Sequence, residues 1–386
     1  MKTTPTNQMR KLLYLLLWFI PFTLSAQRYI SGRITDAEDN EPVPAATVFI
    51  SNTTIGTTTN AEGYYQLHIP GEGSYQLTVS HVAYQTVVKD IESGNTSVQF
   101  DAALHIHELE EVTVATRVRF RRTDINLFWR NILGKNPSRN TIQATNSEKV
   151  YYYYNSETHI LKVTCREPLQ IINYETGYHI QLILDHFTHD YNTALSSWHY
   201  EYMFSELEPA NPRQKNNWEV KRREVYKVSL TNFIRALYHN TLMENGYLLT
   251  YPYSQQTDSL DNVLNAYEDP ETFLSFDSIA NCKMLRIPTD LKDLMLVCFG
   301  NPITQSDLNN VNQAQNRRYD WSDVGLFRNV LGTPDGPVYL FPDGTYKNFI
   351  HFSLRFNSNS LTGLNLILPL DYIPDVNSDT ASAVSN

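Results

Sequence analysis

Hydrophobic and polar positions alternate with a period of two along most of this chain, and the period changes in one long stretch. From Trp218 to Asn240 the sequence reads WEVKRREVYKVSLTNFIRALYHN. Trp218, Val225, Tyr226, Ser229, Phe233, Ala236 and Leu237 recur there three and four residues apart, which places them on one face of a helix. The stripe is wide enough for a core face rather than a thin coiled-coil seam. Each large apolar side chain buried on it would stabilise by roughly 1.5–3 kcal/mol. Arg222 sits on the same stripe with Arg223 beside it, and an arginine on a buried face needs a carboxylate or carbonyl partner. Ser229 is placed to cap a second helical segment, so a break in the helix would fall near Val228. The downstream strands are expected to pack around this helix.

The period-two segments fall into two groups. In the first, Tyr29–Asp36, Thr47–Ile50, Tyr65–Ile69, Tyr75–Val79 and Val98–Ala102 are short strands separated by turn residues. Asn60-Ala61-Glu62-Gly63 reads as a hairpin turn in which Gly63 supplies a positive φ. This spacing describes a small β-sandwich. A linker follows, containing Arg117, Arg119, Arg121 and Arg122, and a basic run of this size is ordinarily a solvated connector. Asp124–Leu133 reads as a short helix that Thr123 or Asp124 caps and Gly134 ends. In the second group the strands are Lys149–Tyr154, His159–Cys165, Pro168–Asn173, Gly177–Phe187 and Trp198–Leu207. After the helix come Met295–Phe299, Pro337–Phe341, Phe349–Phe356 and Leu364–Leu368. Residues 301–320, rich in Asn and Gln, read as a loop or an irregular helix.

The expected fold class is β-rich: an N-terminal transthyretin/Ig-like β-sandwich, then a larger α+β domain with mostly antiparallel sheet and one long helix. The boundaries are 1–26 for a signal peptide, 27–115 for the sandwich, 116–146 for a linker with its short helix, 147–375 for the larger domain and 376–386 for a disordered tail. The signal rests on Arg10 and Lys11, the apolar run Leu12–Ile20 and the exit Leu24-Ser25-Ala26. That run is too short to span a bilayer.

Composition narrows the partners. Among 386 residues, 41% are hydrophobic and 19% charged, with 25 tyrosines and a net charge of −10. Without residues 1–26 there are 28 basic against 41 acidic residues, a net charge of −13. Such a chain is repelled by nucleic acid phosphates and has no basic surface for an anionic membrane. Three cysteines, Cys165, Cys282 and Cys298, are too few for a disulfide scaffold. A Cys282–Cys298 bond is conceivable, but three small buried thiols is the simpler reading.

Several motifs carry a resemblance. Gly32-x-Ile34-x-Asp36, Pro44-Ala45-Ala46-Thr47-Val48, Gly56-Thr57-x-Thr59-x-x-x-Gly63-x-Tyr65-x-Leu67 and Val79-Ser80-His81-Val82-Ala83-Tyr84 resemble the carboxypeptidase-like regulatory domain family, with Ala83 where that family usually has glycine. Leu109–Val114 is similar to the segment that follows this domain in outer-membrane receptors of the Bacteroidota. Glu167-Pro168-Leu169-x-Ile171-x-Asn173-x-x-x-Gly177-Tyr178-x-Ile180, the Trp218–Leu237 pattern and Leu368-Pro369-Leu370-Asp371-Tyr372-x-Pro374 resemble Bacteroidota proteins that pair such a body with the sandwich. The resemblance implies an envelope protein with an accessory sandwich. It carries no catalytic residue across, because the family's domain is an appendage of carboxypeptidases and not their catalytic unit.

Candidate chemistry is thin. His105-Ile106-His107-Glu108 contains a literal His-x-x-Glu, yet it falls in a linker, without the α/β order that a zinc peptidase needs. In Asp185-His186-Phe187-Thr188-His189-Asp190 the two histidines point to opposite faces of a strand. No phosphate loop, nucleophile elbow or Cys-x-x-Cys occurs. No cofactor and no metal is expected. Arg222, Arg223, Tyr226 and Arg235, with Glu224, are the candidate binding residues for an anionic ligand, against a structural ion-pair network. Of Tyr151–Tyr154 only two share a side of the sheet. The expected function is a non-catalytic cell-envelope protein, an interaction and binding module facing the periplasm or outer membrane. Its expected partner is an envelope or outer-membrane protein, with a glycan or peptide as candidate ligand and no nucleic acid. The alternative is a glycan- or peptide-processing hydrolase with its site near the Trp218–Asn240 helix. A TonB contact at Glu111–Ala115 stands against a plain last strand and linker.

Overall fold

A computed structural model of the protein describes residues 28–69, 73–91, 97–106, 121–134, 141–250, 269–278, 281–287, 295–317, 327–333, 336–348, 353–356, 364 and 367–375. The expected signal segment, His107 and Glu108, the Leu109–Val114 and Glu111–Ala115 segments, Arg117 and Arg119, and the 376–386 tail lie outside the described residues.

The N-terminal strands form a two-sheet sandwich, as the alternation predicts. One sheet sets β1 (Arg28–Asp36) between β4 (Tyr64–Ile69) and β7 (Ser97–Gln99), and β8 (Ala102–Leu104) also pairs with β1. The other runs β3 (Gly56–Thr58), β2 (Thr47–Ile50), β5 (Tyr75–His81), β6 (Tyr84–Ile91). Ile30, Ile34, Val48, Ile50, Leu67 and Val79 from both sheets fill the space between, because their inward positions alternate with outward polar ones. The Asn60–Gly63 turn forms where expected. The Asn60 carboxamide accepts from the Glu62 and Tyr64 amides, and Gly63 takes φ +79°. Strands β3 and β6 escape the pattern, since only the last residue of β6 is buried and none of β3 is.

A short helix α1 (Arg122–Leu133) leads into the body. It begins two residues before the expected start, because the Asp124 carboxylate reaches back to accept from the Arg121 amide at 2.8 Å. Gly134 ends it, as expected. A six-stranded antiparallel sheet follows: β9 (Ile142–Ala144), β10 (Val150–Asn155), β11 (Ile160–Cys165), β12 (Leu169–Asn173), β13 (Tyr178–Asp190) and β14 (Leu195–Glu206). The long β13 pairs with β12 along its first half and with β11 along its second, while β14 runs beside its whole length.

The single long helix is a correction: the stretch folds as two helices. Helix α2 (Pro212–Tyr226) starts before Trp218, where Asn211 caps the Gln214 amide and Pro212 opens the first turn. That turn carries no apolar stripe, so periodicity misses it. Helix α3 (Leu230–Tyr238) begins at the Ser229 cap, whose hydroxyl accepts from the Asn232 amide at 3.1 Å. The buried Tyr247 hydroxyl holds the break, 3.1 and 3.0 Å from the Lys227 and Ser229 carbonyls. The break divides the stripe between two cores. Val225 joins the six-stranded sheet, and Phe233, Ala236 and Leu237 join the downstream strands.

Those downstream strands do pack on α3. They form one sheet of β15 (Tyr247–Thr250), β18 (Met295–Cys298), β19 (Phe327–Gly332) and β22 (Ser353–Phe356). A second holds β16 (Leu274–Asp277), β17 (Cys282–Leu285), β20 (Val338–Leu340) and β21 (Tyr346–Lys347). The Asn- and Gln-rich region contains a regular helix α4 (Gln305–Arg317). Thr304 and Asp307 cap each other's amides at its start, a Thr-x-x-Asp signal visible in the sequence. Of the expected strand at Leu364–Leu368, the described residues Leu364, Ile367 and Leu368 are not in a strand. Residues 367–375 lie as an irregular strap instead, with Leu368 buried in the first core.

Gly177 closes the turn between β12 and β13 at φ +70°, and a Cβ there would meet the Trp218 ring at 2.2 Å. Gly177→Ala is therefore expected to destabilise the protein by about 2–3 kcal/mol. A drop of several degrees in Tm, with no loss of secondary structure at room temperature, is the outcome to look for in thermal denaturation by circular dichroism.

Candidate functional site

The candidate binding residues sit where three pieces of the molecule meet: the six-stranded sheet, the α2–α3 elbow and the closing strap. Trp218 stacks over Gly177 and donates its indole N–H to the Tyr174 carbonyl at 2.8 Å. One turn later, the buried Arg222 side chain enters the same β12–β13 turn. Its Nε donates to the Thr176 carbonyl at 2.7 Å, and its guanidinium reaches the Gly177 carbonyl. Nη1 donates to Glu219 and Glu206 at 3.0 and 3.2 Å. The guanidinium lies 4.0 Å from the centre of the Tyr178 ring, an arrangement worth more here than in water because the pair is desolvated. Arg222 thus has both kinds of partner that its place on the stripe demands.

Arg235 from α3 makes a second knot. It donates to the carbonyls of Asp343, Leu370 and Tyr372 at 2.7, 2.9 and 3.2 Å, and to the Tyr226 hydroxyl at 2.9 Å. No carboxylate among the described residues pairs with it. Its planar fork suits three carbonyls arriving from different directions. Tyr226 packs edge-on against Tyr372. Burial pushes the Tyr372 phenol up to about 12, with Arg222 and Arg223 pulling the other way. Its hydroxyl is buried without a hydrogen-bond partner among the described residues. Arg222 and Arg235 are therefore anchored inside the chain, Arg223 is half-buried on the same helix and Glu224 is exposed.

The strap carries the connection on to the sandwich. The Asp371 carboxylate accepts from the Thr54 amide at 3.0 Å and from the Thr54 hydroxyl. The Leu370 amide donates to the Asn52 carbonyl at 2.8 Å. The same turn bonds to the exposed edge of β14: Asn52 N–H to the Tyr202 carbonyl at 2.7 Å, and Phe204 N–H to the Thr53 carbonyl at 2.9 Å. A further contact joins the Tyr75 hydroxyl to the Asp343 carboxylate, and the Ser74 amide donates to Thr345 at 2.9 Å. The sandwich is seated on the body through these backbone bonds of the Asn52–Thr53 turn and the side chains of Asp371, Asp343 and Thr345. Sequence reasoning missed these seating residues, although Asp371 lies inside the closing motif that it singled out.

The histidine motifs fall elsewhere. His189 faces the core and bonds Ser196 at 2.8 Å. His186 turns to the other face, paired with Asp185 at 2.8 Å and stacked near His199, in agreement with the expected alternation. Among the described residues no group of histidine, cysteine and carboxylate side chains is arranged to hold a metal ion. His105 stays beside β6, its carbonyl accepting from Gln85 at 2.8 Å. Cys282 and Cys298 are free and buried in different sheets, and burial pushes the Cys165 and Cys298 thiols up to about 12. Tyr152 and Tyr154 pack against the core, which leaves Tyr151 and Tyr153 on the opposite face.

Two substitutions separate buried from exposed partners. Arg222→Leu leaves two backbone carbonyls without their donor, and the expected loss is about 3–5 kcal/mol. Glu206→Gln removes a partner that is 62% exposed, and less than about 1 kcal/mol should follow. Chemical denaturation of both variants measures the contrast; equal effects would mean that the guanidinium is held by charge and not by the carbonyls. Arg235→Met should release the strap, seen as faster hydrogen exchange at Tyr372 with Ile180 unchanged.

Residues 30–114 match the CarboxypepD_reg-like domain family. The TonB-dependent receptor P3 of Formosa agariphila is 25% identical over 128 residues, which is 33% of this chain and 12% of the receptor. The match thus spans about an eighth of that relative's length. Among solved structures, a type II cohesin–X-dockerin complex from Acetivibrio cellulolyticus aligns with 19% of this chain and 51% of its own, at 20% identity and a TM-score of 0.17. A DUF3823 family protein from Bacteroides ovatus aligns with 47% of this chain and 82% of its own, at 10% identity and a TM-score of 0.18. At those scores neither likeness bears on fold or function. Residues 30–114 belong to the carboxypeptidase-like regulatory domain family, and the chain is a protein that carries this domain as its N-terminal β-sandwich.

Proposed function

We propose that this chain is a non-catalytic protein of the cell envelope, facing the periplasm or outer membrane, and that it works by binding a protein partner. The observation that carries the reading is the seat of the sandwich. Asn52, Thr53, Thr54, Ser74 and Tyr75 are all used to fix it to the body. A domain held at this many points offers a partner its remaining surface in a fixed position. The committed guanidiniums of Arg222 and Arg235 support the same reading, since the most basic cluster of the body spends its donors on its own carbonyls. The stretch shared with a TonB-dependent receptor and the secretory pattern of residues 1–26 support the location.

The sandwich surface left for a partner is the side away from the seat. Val82 and Tyr64 are 68% and 54% exposed there, with Ile106 also exposed. Deleting the whole sandwich is a poor test, because it would also bare the β14 edge. A photo-crosslinking amino acid at Val82 or Tyr64 avoids that. The expected result is a discrete adduct with one envelope protein from either position, the Tyr64 adduct abolished by Val82→Asp, and no adduct when the crosslinker stands at Tyr174 on the body. No adduct at Val82 or Tyr64 in fractionated membranes would overturn the partner role of the sandwich.

A further inference from the structure

The seat of the sandwich has a buried acid at its centre. Glu201 lies on β14 immediately before the two residues whose backbones bond to the sandwich: Tyr202 accepts from Asn52, and Phe204 donates to Thr53. Only 5% of Glu201 is exposed. From the sandwich, the Ser51 hydroxyl favours the charged form of its carboxylate. Ser51 also bonds Thr78 at 2.7 Å, and either hydroxyl can donate in that pair. From the body, His199 places Nε2 3.6 Å from Glu201 and Nδ1 3.7 Å from Asp185. His186 lies against the same Asp185 at 2.8 Å, its ring stacked near that of His199. Asp90 on β6 adds a further negative charge facing Glu201. Three carboxylates, two imidazoles and one hydroxyl therefore surround a joint that is otherwise made of backbone bonds.

We propose that this joint is locked by a proton, with the sandwich seated tightly on the body in acid and loosened as the pH rises. The proton sits on Glu201, where it cancels a buried charge. Once it leaves, Glu201 is a buried anion facing Asp185 and Asp90, with the Ser51 hydroxyl as its main compensation. Carboxylates so placed destabilise one another, and the cheapest relief is to admit water by lifting the Asn52–Thr53 turn from β14. The sign agrees with the environment of Glu201, where burial outweighs the Ser51 and His199 contributions and raises its pKa above the usual 4.5. A raised acid stabilises the seated form below its ordinary pKa and withdraws that stability as pH climbs through the raised value.

Hydrogen exchange on the full chain from pH 4.5 to 8 tests this, with rates corrected for the intrinsic pH dependence of exchange. Protection at the Asn52 and Phe204 amides is expected to fall as pH rises, by about tenfold for each unit that separates the seated and unseated pKa values of the joint. The Leu67 and Ile180 amides, inside the sandwich and the six-stranded sheet, keep their protection because neither core opens. Glu201→Gln fixes the neutral state and flattens the dependence at Asn52 and Phe204. Ser51→Ala, which removes the hydroxyl favouring the anion, steepens the fall. Flat protection at both amides in the natural chain, or an unchanged pH dependence in Glu201→Gln, would overturn the proposal. Neither outcome touches the partner assignment, which the Val82 crosslink reads separately.

Discussion

The Arg222 guanidinium in the β12–β13 turn is the contact on which the arrangement of the molecule depends. A buried arginine is tolerated only when its donors are satisfied, and here two carbonyls of one tight turn and two glutamates satisfy them. That requirement sets the position of α2 on the sheet. The close approach of Trp218 to Gly177 sets its height, since any Cβ at that glycine would collide with the indole.

From this anchor the rest follows in steps. With α2 in place, the Ser229 cap and the Tyr247 hydroxyl define where α3 begins. Helix α3 then carries Arg235 to the carbonyls of Leu370 and Tyr372, which positions the strap. The strap carries Asp371 to Thr54 and Leu370 to Asn52, and these hold the sandwich against the edge of β14. A free strand edge invites pairing with other chains, and the first domain covers part of this one. Two arginines thus couple a helix on one sheet to the seat of the sandwich, using backbone carbonyls.

Much of this was legible in the residues. The alternation in β1, β4 and β5 foretold the sandwich, because a half-buried strand must place apolar groups at every second position. The Asn60–Gly63 turn, the Ser229 cap and the Gly134 stop all rest on local chemistry that acts within a few residues. The need of Arg222 for a partner was also legible, and so was the opposition of His186 and His189. Strands β3 and β6 were not legible, since they bury almost nothing. The first turn of α2 was hidden for the same reason, and α4 was obscured by its polar composition despite the Thr304–Asp307 cap.

The sequence by itself determined the domain family of residues 30–114, the β-rich class and the positions of the caps and turns, because each depends on neighbours a few residues apart. Only the tertiary structure decided which carbonyls Arg222 and Arg235 would bind, that the apolar stripe would divide between two cores, and that Asn52–Thr54 would meet Tyr202, Phe204 and Asp371. Those contacts join residues as far as 317 positions apart. A hydrogen-bonding carbonyl is present at every residue and leaves no mark in the amino-acid code, so the selection of one among hundreds belongs to the fold.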